Sequence, residues 1–380
     1  MNKKSIAEIK KQFKLSNPNF VINRIGNAYV SHENIIRYEN IRRFGTLSEI
    51  EEQIYVENAK KTLGGQIGKA LNVYDFPKEA YDKGGSQDIL YNLLNSELSD
   101  KDLFHDYVTY IMANVDYKSD YYITVLHCTY SMKNKDNNDE DLPDDSSNIF
   151  NFLIVSFNVV SLSDIGLYYN EEDSVIEKKN NTDYIVISSP CDGFMFPTFS
   201  INCADINNVL YFTKTPKSPN KSIIEKVLGC DFTLSALEEK EKFEYVLGRT
   251  LGENIDYDTV NSIHNKIRDV IKANENEDET PVLSKRELSN ILKTSGVKED
   301  NITAFDAYYD EEVGEKTGLK AVNLVDTNKI NISSPDVTVT VKANKSNNVE
   351  ATIRNGKKCL IITLDENVEI NGLDVNISKK

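Results

Sequence analysis

No apolar run in this sequence is long enough for a signal-peptide core or a membrane span. The start, MNKKSIAEIKKQFKL, sets lysines among single apolar residues, and the longest apolar stretch, Ile149 to Leu162, is broken by Asn151, Ser156 and Asn158. A soluble, cytoplasmic protein is expected. The five cysteines, at 128, 191, 203, 230 and 359, form no close-spaced pair, so reduced thiols are expected rather than a disulfide framework. His32, His105, His127 and His264 fall in no H-x-H or H-E-x-x-H spacing and no C-x-x-C occurs, so no metal and no cofactor are expected. His127 and Cys128 are neighbours on an expected strand, where successive side chains point to opposite faces, so they cannot form one dyad. His264 lies between Ile263 and Ile267 on an apolar helical stripe and reads as packed. No internal repeat of fixed period is found.

Of the 380 residues, 39% are hydrophobic and 27% charged, a globular balance with length for two or three domains. The formal net charge of −16 repels phosphate, which disfavours bulk DNA and anionic membranes as partners. Yet residues 1–46 hold nine lysines and arginines against Glu8, Glu33 and Glu39, a net of +6 that leaves −22 for the remainder. Within this segment Arg24, Arg37, Arg42 and Arg43 interleave with Phe20, Tyr29, Tyr38 and Phe44, a pattern that suits an acidic protein or single-stranded RNA. The competing reading keeps these cations as internal neutralising surface.

Leu63 to Leu71, LGGQIGKAL, contains two look-alikes. Gly64-Gly65-Gln66 spells the catalytic tripeptide of peptide-release factors, and Gly68-Lys69 resembles the end of a phosphate loop. The phosphate loop fails on spacing, because Leu63 stands where its first glycine is required and Ala70 where a hydroxyl is required. A structural role is simpler. Thr46 with Glu49 fits a capping box, Leu47, Ile50, Ile54, Ala59 and Leu63 give a helical stripe, and Gly64 sits where a left-handed cap should end that helix.

Ile6, Ile9 and Phe13 mark an N-terminal amphipathic helix, and Gly26-Asn27 between FVINRI and AYVS reads as a hairpin turn. Helices are expected after Ser86 and Ser99, strands over Tyr121–Tyr130, Ile149–Val160 and Asp183–Ser188. Further helices are expected near Ala204–Phe212, Pro219–Leu228, Ala236–Leu251 (opened by a Ser235/Glu238 box and stopped by Gly252) and Asp258–Lys272. Beyond Asn274 to Pro281, a linker candidate, Ser284 and Glu287 open a helical pair ending near Gly314. VTVTVK, Asn355-Gly356 and Asn371-Gly372 then announce strands and hairpins. The acidic Lys133 to Asn148 loop alternates Asp136, Asn138 and Glu140 as a calcium loop does, but Asp141 replaces the turn glycine, so a solvated loop is expected. Pro190 to Pro197, PCDGFMFP, brackets Phe194, Met195 and Phe196 with prolines. It reads as a core plug, with Phe194 and Phe196 as partner anchors in the alternative.

Taken in order, MNKKSIAEIKKQF, KTLGGQIGKALN followed by DFP, GGSQDIL with LLNSELSD, GFMFPTF, LGC at Leu228 to Cys230, SSPDVTVTV and VEATIRNGKKCLIITLDENVEING resemble the bacterial proteins grouped as domain of unknown function 4317. The resemblance runs along the whole chain. It implies a soluble bacterial protein and carries no activity, cofactor or catalytic residue with it. In that pattern a small hydroxyl residue stands near Gln66, and the acidic run after Tyr130 replaces a more regular stretch.

The expected fold is α+β: a main domain over 1–273 built on a mainly antiparallel sheet surrounded by helices, a linker at 274–281, and a smaller helix-plus-β domain over 282–380. The leading functional expectation is a non-enzymatic binding or adaptor protein. The rivals are a hydrolase-like enzyme whose catalytic residues meet only in the fold, and a ribosome- or RNA-associated factor using Gly64, Gly65 and Gln66. Limited proteolysis should cut first within Lys133 to Asn148 or Asn274 to Pro281, where little can be buried. First cuts inside Tyr121 to Val160, away from that loop, would refute this organisation.

Overall fold

The computed structural model describes residues 1, 3–14, 17–132, 148–162, 166–170, 174–179, 185–200, 203–252, 256–275, 277, 280–364, 368–370 and 373–375. The acidic loop at 133–147, with its calcium reading, and the Asn371-Gly372 turn lie outside them, as do residues 276, 278 and 279 of the expected linker. The chain packs as two units, Met1–Ser235 and Ala236–Lys380.

The first unit begins with α1 (Lys3–Gln12), β1 (Phe20–Val30), β2 (Ile36–Arg43), α2 (Glu49–Thr62) and β3 (Leu71–Asp75). There follow α3 (Ser86–Asn95), α4 (Lys101–Asn114), β4 (Tyr121–Met132), β5 (Asn148–Leu162), β6 (Gly166–Asn170), β7 (Val175–Lys179) and β8 (Ile185–Ile187). It closes with β9 (Asp192–Phe196), β10 (Thr198–Ser200), β11 (Cys203–Asp205), β12 (Asn208–Thr213) and a π-turn over Ile223–Val227. The main sheet runs β2-β1-β4-β5-β9-β12-β3, with β8 on β5, and its pairs are antiparallel. The expected α+β class and its antiparallel sheet are what the structure has.

Both faces of this sheet are buried. On one, Ile6, Ile9 and Phe13 of α1 and Val56 and Ala59 of α2 pack on Ile25, Leu126, Ile154, Met195 and Leu210. On the other, Leu90 and Leu93 of α3, Phe104 and Ile111 of α4, and Ile223 and Val227 of the π-turn pack on Ala28, Val125, Val155, Phe194 and Val209. The PCDGFMFP stretch is an interior strand between β5 and β12, with Phe194 and Phe196 fully buried, which leaves them no surface to offer a partner. A strand buried on both faces loses its polar alternation, and this explains the absence of any period in its sequence. Asp192 is buried there too, accepting from Tyr117 Oη at 2.8 Å and Tyr211 Oη at 2.7 Å.

Several local expectations move. Gly26-Asn27 makes no turn: β1 runs straight through, and the chain reverses at Ser31 to Ile35, where Asn34 takes φ 58°. Gly26 is instead a place of close approach, since a Cβ there would lie 2.5 Å from the Phe104 ring. The capping box is Ser48 with Glu51, two residues later than expected, while the Thr46 hydroxyl donates to Arg43 O and closes a short 3-10 turn. Ile50 and Ile54 accordingly turn outward, 73% and 54% exposed. Gly85 and Asp100, not Ser86 and Ser99, precede α3 and α4, and the Ser86 hydroxyl donates to Leu228 O. Ala204–Phe212 is not a helix but the end of β11, paired with β10, and most of β12, paired with β3 and β9; the run Val209 to Phe212 is apolar throughout and carries no period of its own.

In the second unit α5 (Ala236–Leu251) and α6 (Tyr257–Ala273) pack with the elements beyond β13 (Val282–Leu283): α7 (Lys285–Thr294), α8 (Glu299–Glu312), β14 (Leu319–Lys320) and α9 (Ala321–Leu324). The expected boundary near 273 therefore lies inside this unit. Its internal tie is Glu239 of α5, buried, which accepts from Lys320 N at 3.2 Å and Asn323 Nδ2 at 2.7 Å, and burial raises its carboxyl above the usual range. Ser284 and Glu287 form the expected capping box, and Gly252 and Gly314, at φ 69° and 105°, end α5 and α8. Hairpins follow: β15 (Lys329–Ser333) with β16 (Thr338–Lys342), β17 (Val349–Arg354) with β18 (Lys357–Ile362), and β19 (Val368–Ile370) with β20 (Leu373–Val375). Asn355 and Gly356, both at positive φ, form the turn expected between β17 and β18. No helix among the described residues is long and apolar enough to cross a membrane.

Burial, then Arg268 and Lys240, pushes His264 on α6 from 6.5 down to about 4, so the fold prefers its neutral ring. The unfolded chain takes up the proton first as pH falls, so stability is full above pH 6.5 and is lost down to about 4. The loss approaches ~3 kcal/mol at the acid end. Denaturation of the wild type and of His264→Leu at pH 7.5, 5.5 and 4 should show the wild type losing one proton's worth of slope more than the variant; equal slopes would refute the assignment.

Candidate functional site

The turn Gly64 to Ala70, which leads from α2 into β3, forms part of the wall of a cavity of about 580 Å³ lined by Lys10, Glu57, Lys60, Lys61, Gly64, Gly65, Ser189, Pro190, Phe212 and Lys214. These residues come from four places. Lys10 is on the last turn of α1, Glu57 to Lys61 end α2 and Gly64 and Gly65 follow it, Ser189 and Pro190 precede β9, and Phe212 and Lys214 lie at the end of β12. The antiparallel order β9-β12-β3 sets those last segments beside the end of α2.

Gly64 N donates to Lys61 O at 2.9 Å, and the left-handed residue is Gly65 at φ 105°, one position after the expected cap. A Cβ on Gly65 would lie 2.6 Å from that of Ala70, and one on Gly64 would sit 2.9 Å from Lys61 O and 3.6 Å from Lys10 Nζ. Two glycines are thus what lets the chain turn tightly beneath the Lys10 ammonium. Gln66 points its side chain to solvent while its carbonyl accepts from Lys69, Ala70 and Leu71 N, and Thr213 N donates to Ala70 O. The tripeptide therefore lies on a turn tied down by its own backbone and by β12.

Electrostatically the cavity opposes its protein. Lys60 Nζ meets Glu57 Oε1 at 2.8 Å, and this bond, then the charges of Lys60, Lys61 and Lys10, holds the Glu57 carboxyl below the usual range. Lys61 Nζ donates to Ser189 Oγ at 2.9 Å. Lys10 acts on Glu57 only at longer range, and among the described residues neither Lys10 nor Lys214 has a carboxylate within 4 Å. Four lysines and one glutamate are among the lining residues, with Phe212 and Pro190 as apolar wall.

The arginines singled out from sequence do not converge. Arg24 donates to Glu97 O at 3.1 Å on the α4 side of the sheet, Arg37 pairs with Glu33 at 3.2 Å across the hairpin end, and Arg42 pairs with Glu51 of α2 at 3.2 Å. Arg42 and Arg43 are consecutive on β2, so they face opposite sides. Phe20 and Phe44 are buried, and Tyr29 donates to Asp120. Residues 1–46 are thus α1 and two strands of the main sheet, and they contribute Lys10 to the cavity.

Other chemistry-bearing residues stand apart. His127 is buried, its Nδ1 accepts from Asn23 Nδ2 at 2.9 Å, and burial favours its neutral ring; Cys128 enters the opposite core, as strand alternation requires. Asp120 gathers Tyr29 Oη, His32 N at 2.9 Å and His32 Nδ1 at 2.7 Å, which hold its carboxyl down at about 2, so it has no proton to exchange near neutrality. Among the described residues no three His, Cys, Asp or Glu gather as a metal site.

Sequence reasoning passed over Lys10, Lys60, Lys61 and Lys214 as a set. Lys60 and Lys61 are cations suited to the end of a helix, but Lys214 is about 150 positions away in the chain and joins them only through sheet order. On this geometry Gly65→Ala should cost ~1–3 kcal/mol through its backbone conformation and the Ala70 contact, whereas Gln66→Ala should stay within about 0.5 kcal/mol. Urea unfolding of the two variants checks this, and a Gly65→Ala protein as stable as wild type would refute it.

No curated protein and no solved structure matches the chain. The model of the family described as domain of unknown function (DUF4317) matches residues 1–373, nearly the whole chain, and the protein therefore belongs to that family.

Proposed function

We propose that this is a non-enzymatic binding or adaptor protein of the bacterial cytoplasm, and that its ligand enters the lysine cavity as an anion. The observation that carries the reading is the convergence of Lys10, Lys60, Lys61 and Lys214 on one concavity in a chain of net charge −16. A volume of about 580 Å³ is in the range of small-ligand sites. Ammonium groups are compact point charges without the planar fork of arginine, so they recognise charge density, as in a phosphate or clustered carboxylates, more than a fixed geometry. Against an enzyme, the lining includes neither His nor Cys, and its one carboxylate, Glu57, is engaged by Lys60. The expectation of an acidic protein or RNA meeting residues 1–46 narrows here to a single contribution from that segment, Lys10.

Thermal unfolding with increasing inorganic pyrophosphate or citrate at low ionic strength tests the reading. A ligand at 100 times its Kd should stabilise the wild type by ~2.7 kcal/mol, a shift of a few degrees in Tm. Lys60→Ala with Lys214→Ala should remove that shift and leave the Tm without ligand unchanged. A wild type indifferent to both anions, or a variant that responds as strongly, would overturn it.

A further inference from the structure

The outer face of α2 carries a line of residues that leads into the cavity. Ile50, Ile54, Glu57 and Lys61 follow one another at i, i+4, i+7 and i+11, a spacing that keeps them within a narrow arc of the helix. The first two are 73% and 54% exposed, and the last two line the cavity. A surface helix ordinarily turns such isoleucines to the core, and here Val56, Ala59 and Thr62 already supply the buried face. The Ser48/Glu51 capping box fixes the helix start two residues before Ile50, so this placement is firmly set.

We propose that the ligand is an acidic peptide segment of a partner protein, laid along α2 with an apolar side chain against Ile50 and Ile54 and its acidic residues in the lysine cavity; this rests on the anion reading above. Charge complementarity selects the occupant: at the cavity end four lysines outnumber Glu57, which Lys60 already pairs, and at the other end the two isoleucines are apolar, with Glu51 beside them paired to Arg42. The spacing follows from the helix rise. Ile54 lies about 10 Å and Ile50 about 16 Å from Lys61 along the axis, which an extended peptide covers in about three and five residues. Single-stranded RNA fits less well, because bases stack on aromatic rings and this line offers branched aliphatic side chains, while the overall negative charge repels a long polyanion.

A display library of random twelve-residue peptides, screened against the full chain, tests this beside a twelve-nucleotide oligouridine and inorganic pyrophosphate. Selected peptides should pair at least two acidic residues with an apolar residue three to five positions away. Ile50→Ser with Ile54→Ser, at exposed positions, should lower the affinity of the best peptide at least tenfold and leave pyrophosphate binding unchanged. Lys60→Ala with Lys214→Ala should lose both. An empty selection, peptides without that pairing, unchanged peptide affinity in the isoleucine variant, or tighter binding of oligouridine would each overturn the peptide proposal while pyrophosphate binding sustains the cavity. Pyrophosphate binding that ignores the lysine variant would strike the cavity reading itself.

Discussion

A sheet that is apolar on both faces governs the first unit. Ile25, Leu126, Ile154 and Met195 on one side and Ala28, Val125, Val155 and Phe194 on the other cannot be left to water, so helices must cover both. The chain leaves β2 at one edge and must next build β3 at the other, six strand spacings away, roughly 29 Å. The 14 residues of α2 span ~21 Å of that, and the residues before and after it supply the rest. One helix thus covers a face and carries the chain across. Its C-terminus must land beside β12 and β3, and the last-turn lysines land with it.

That crossing explains the glycines. The chain has to drop from a helix lying over the sheet into the sheet's edge strand within a few residues, passing under α1 as it does so. Gly65 adopts a backbone conformation that side-chain-bearing residues avoid, and at Gly64 a Cβ would come within 2.9 Å of Lys61 O. The same compact turn exposes the ends of α2 carbonyls, whose negative pole the lysines offset. The cavity is therefore built from a structural necessity, and its charge comes from residues that suit a helix end in any case; Lys214 and Lys10 are what make it more than that.

How much of this was legible in the sequence depended on the range of each signal. The α1 stripe, the β4 and β5 strands, the Ser284/Glu287 box, the stops at Gly252 and Gly314 and the Asn355-Gly356 turn are each written within a few residues, and each stands where local chemistry puts it. Gly26-Asn27 carries a turn signature but serves as clearance for Phe104, more than seventy residues on, and tertiary crowding outweighs the local preference. β9 and β12 lack a period because both their faces are buried, so nothing local distinguishes them from helix or plug. The arginines do not converge on one face, in part because a strand sends neighbours to opposite faces and Arg42 and Arg43 are neighbours. The cavity was out of reach because four segments must first be folded together.

The remaining question is why a strongly acidic protein should tolerate such a concentration of lysines. At physiological salt the Debye length is ~8 Å, so acids spread over the rest of the surface are largely screened from the cavity while its own four ammonium groups act together within it. The far field and the near field then do different work. On the proposed reading the net negative far field, felt chiefly at low salt, would disfavour nucleic acid and anionic membrane, and the near field would hold a compact anion that has come within a few ångströms. A ligand must gain something else to reach that range against the repulsion, and the exposed isoleucines beside the cavity offer short-range apolar burial, which salt does not screen. Selectivity would arise from the combination: charge alone is discouraged at distance, apolar surface alone finds only two side chains, and a segment carrying both at the spacing of α2 satisfies each.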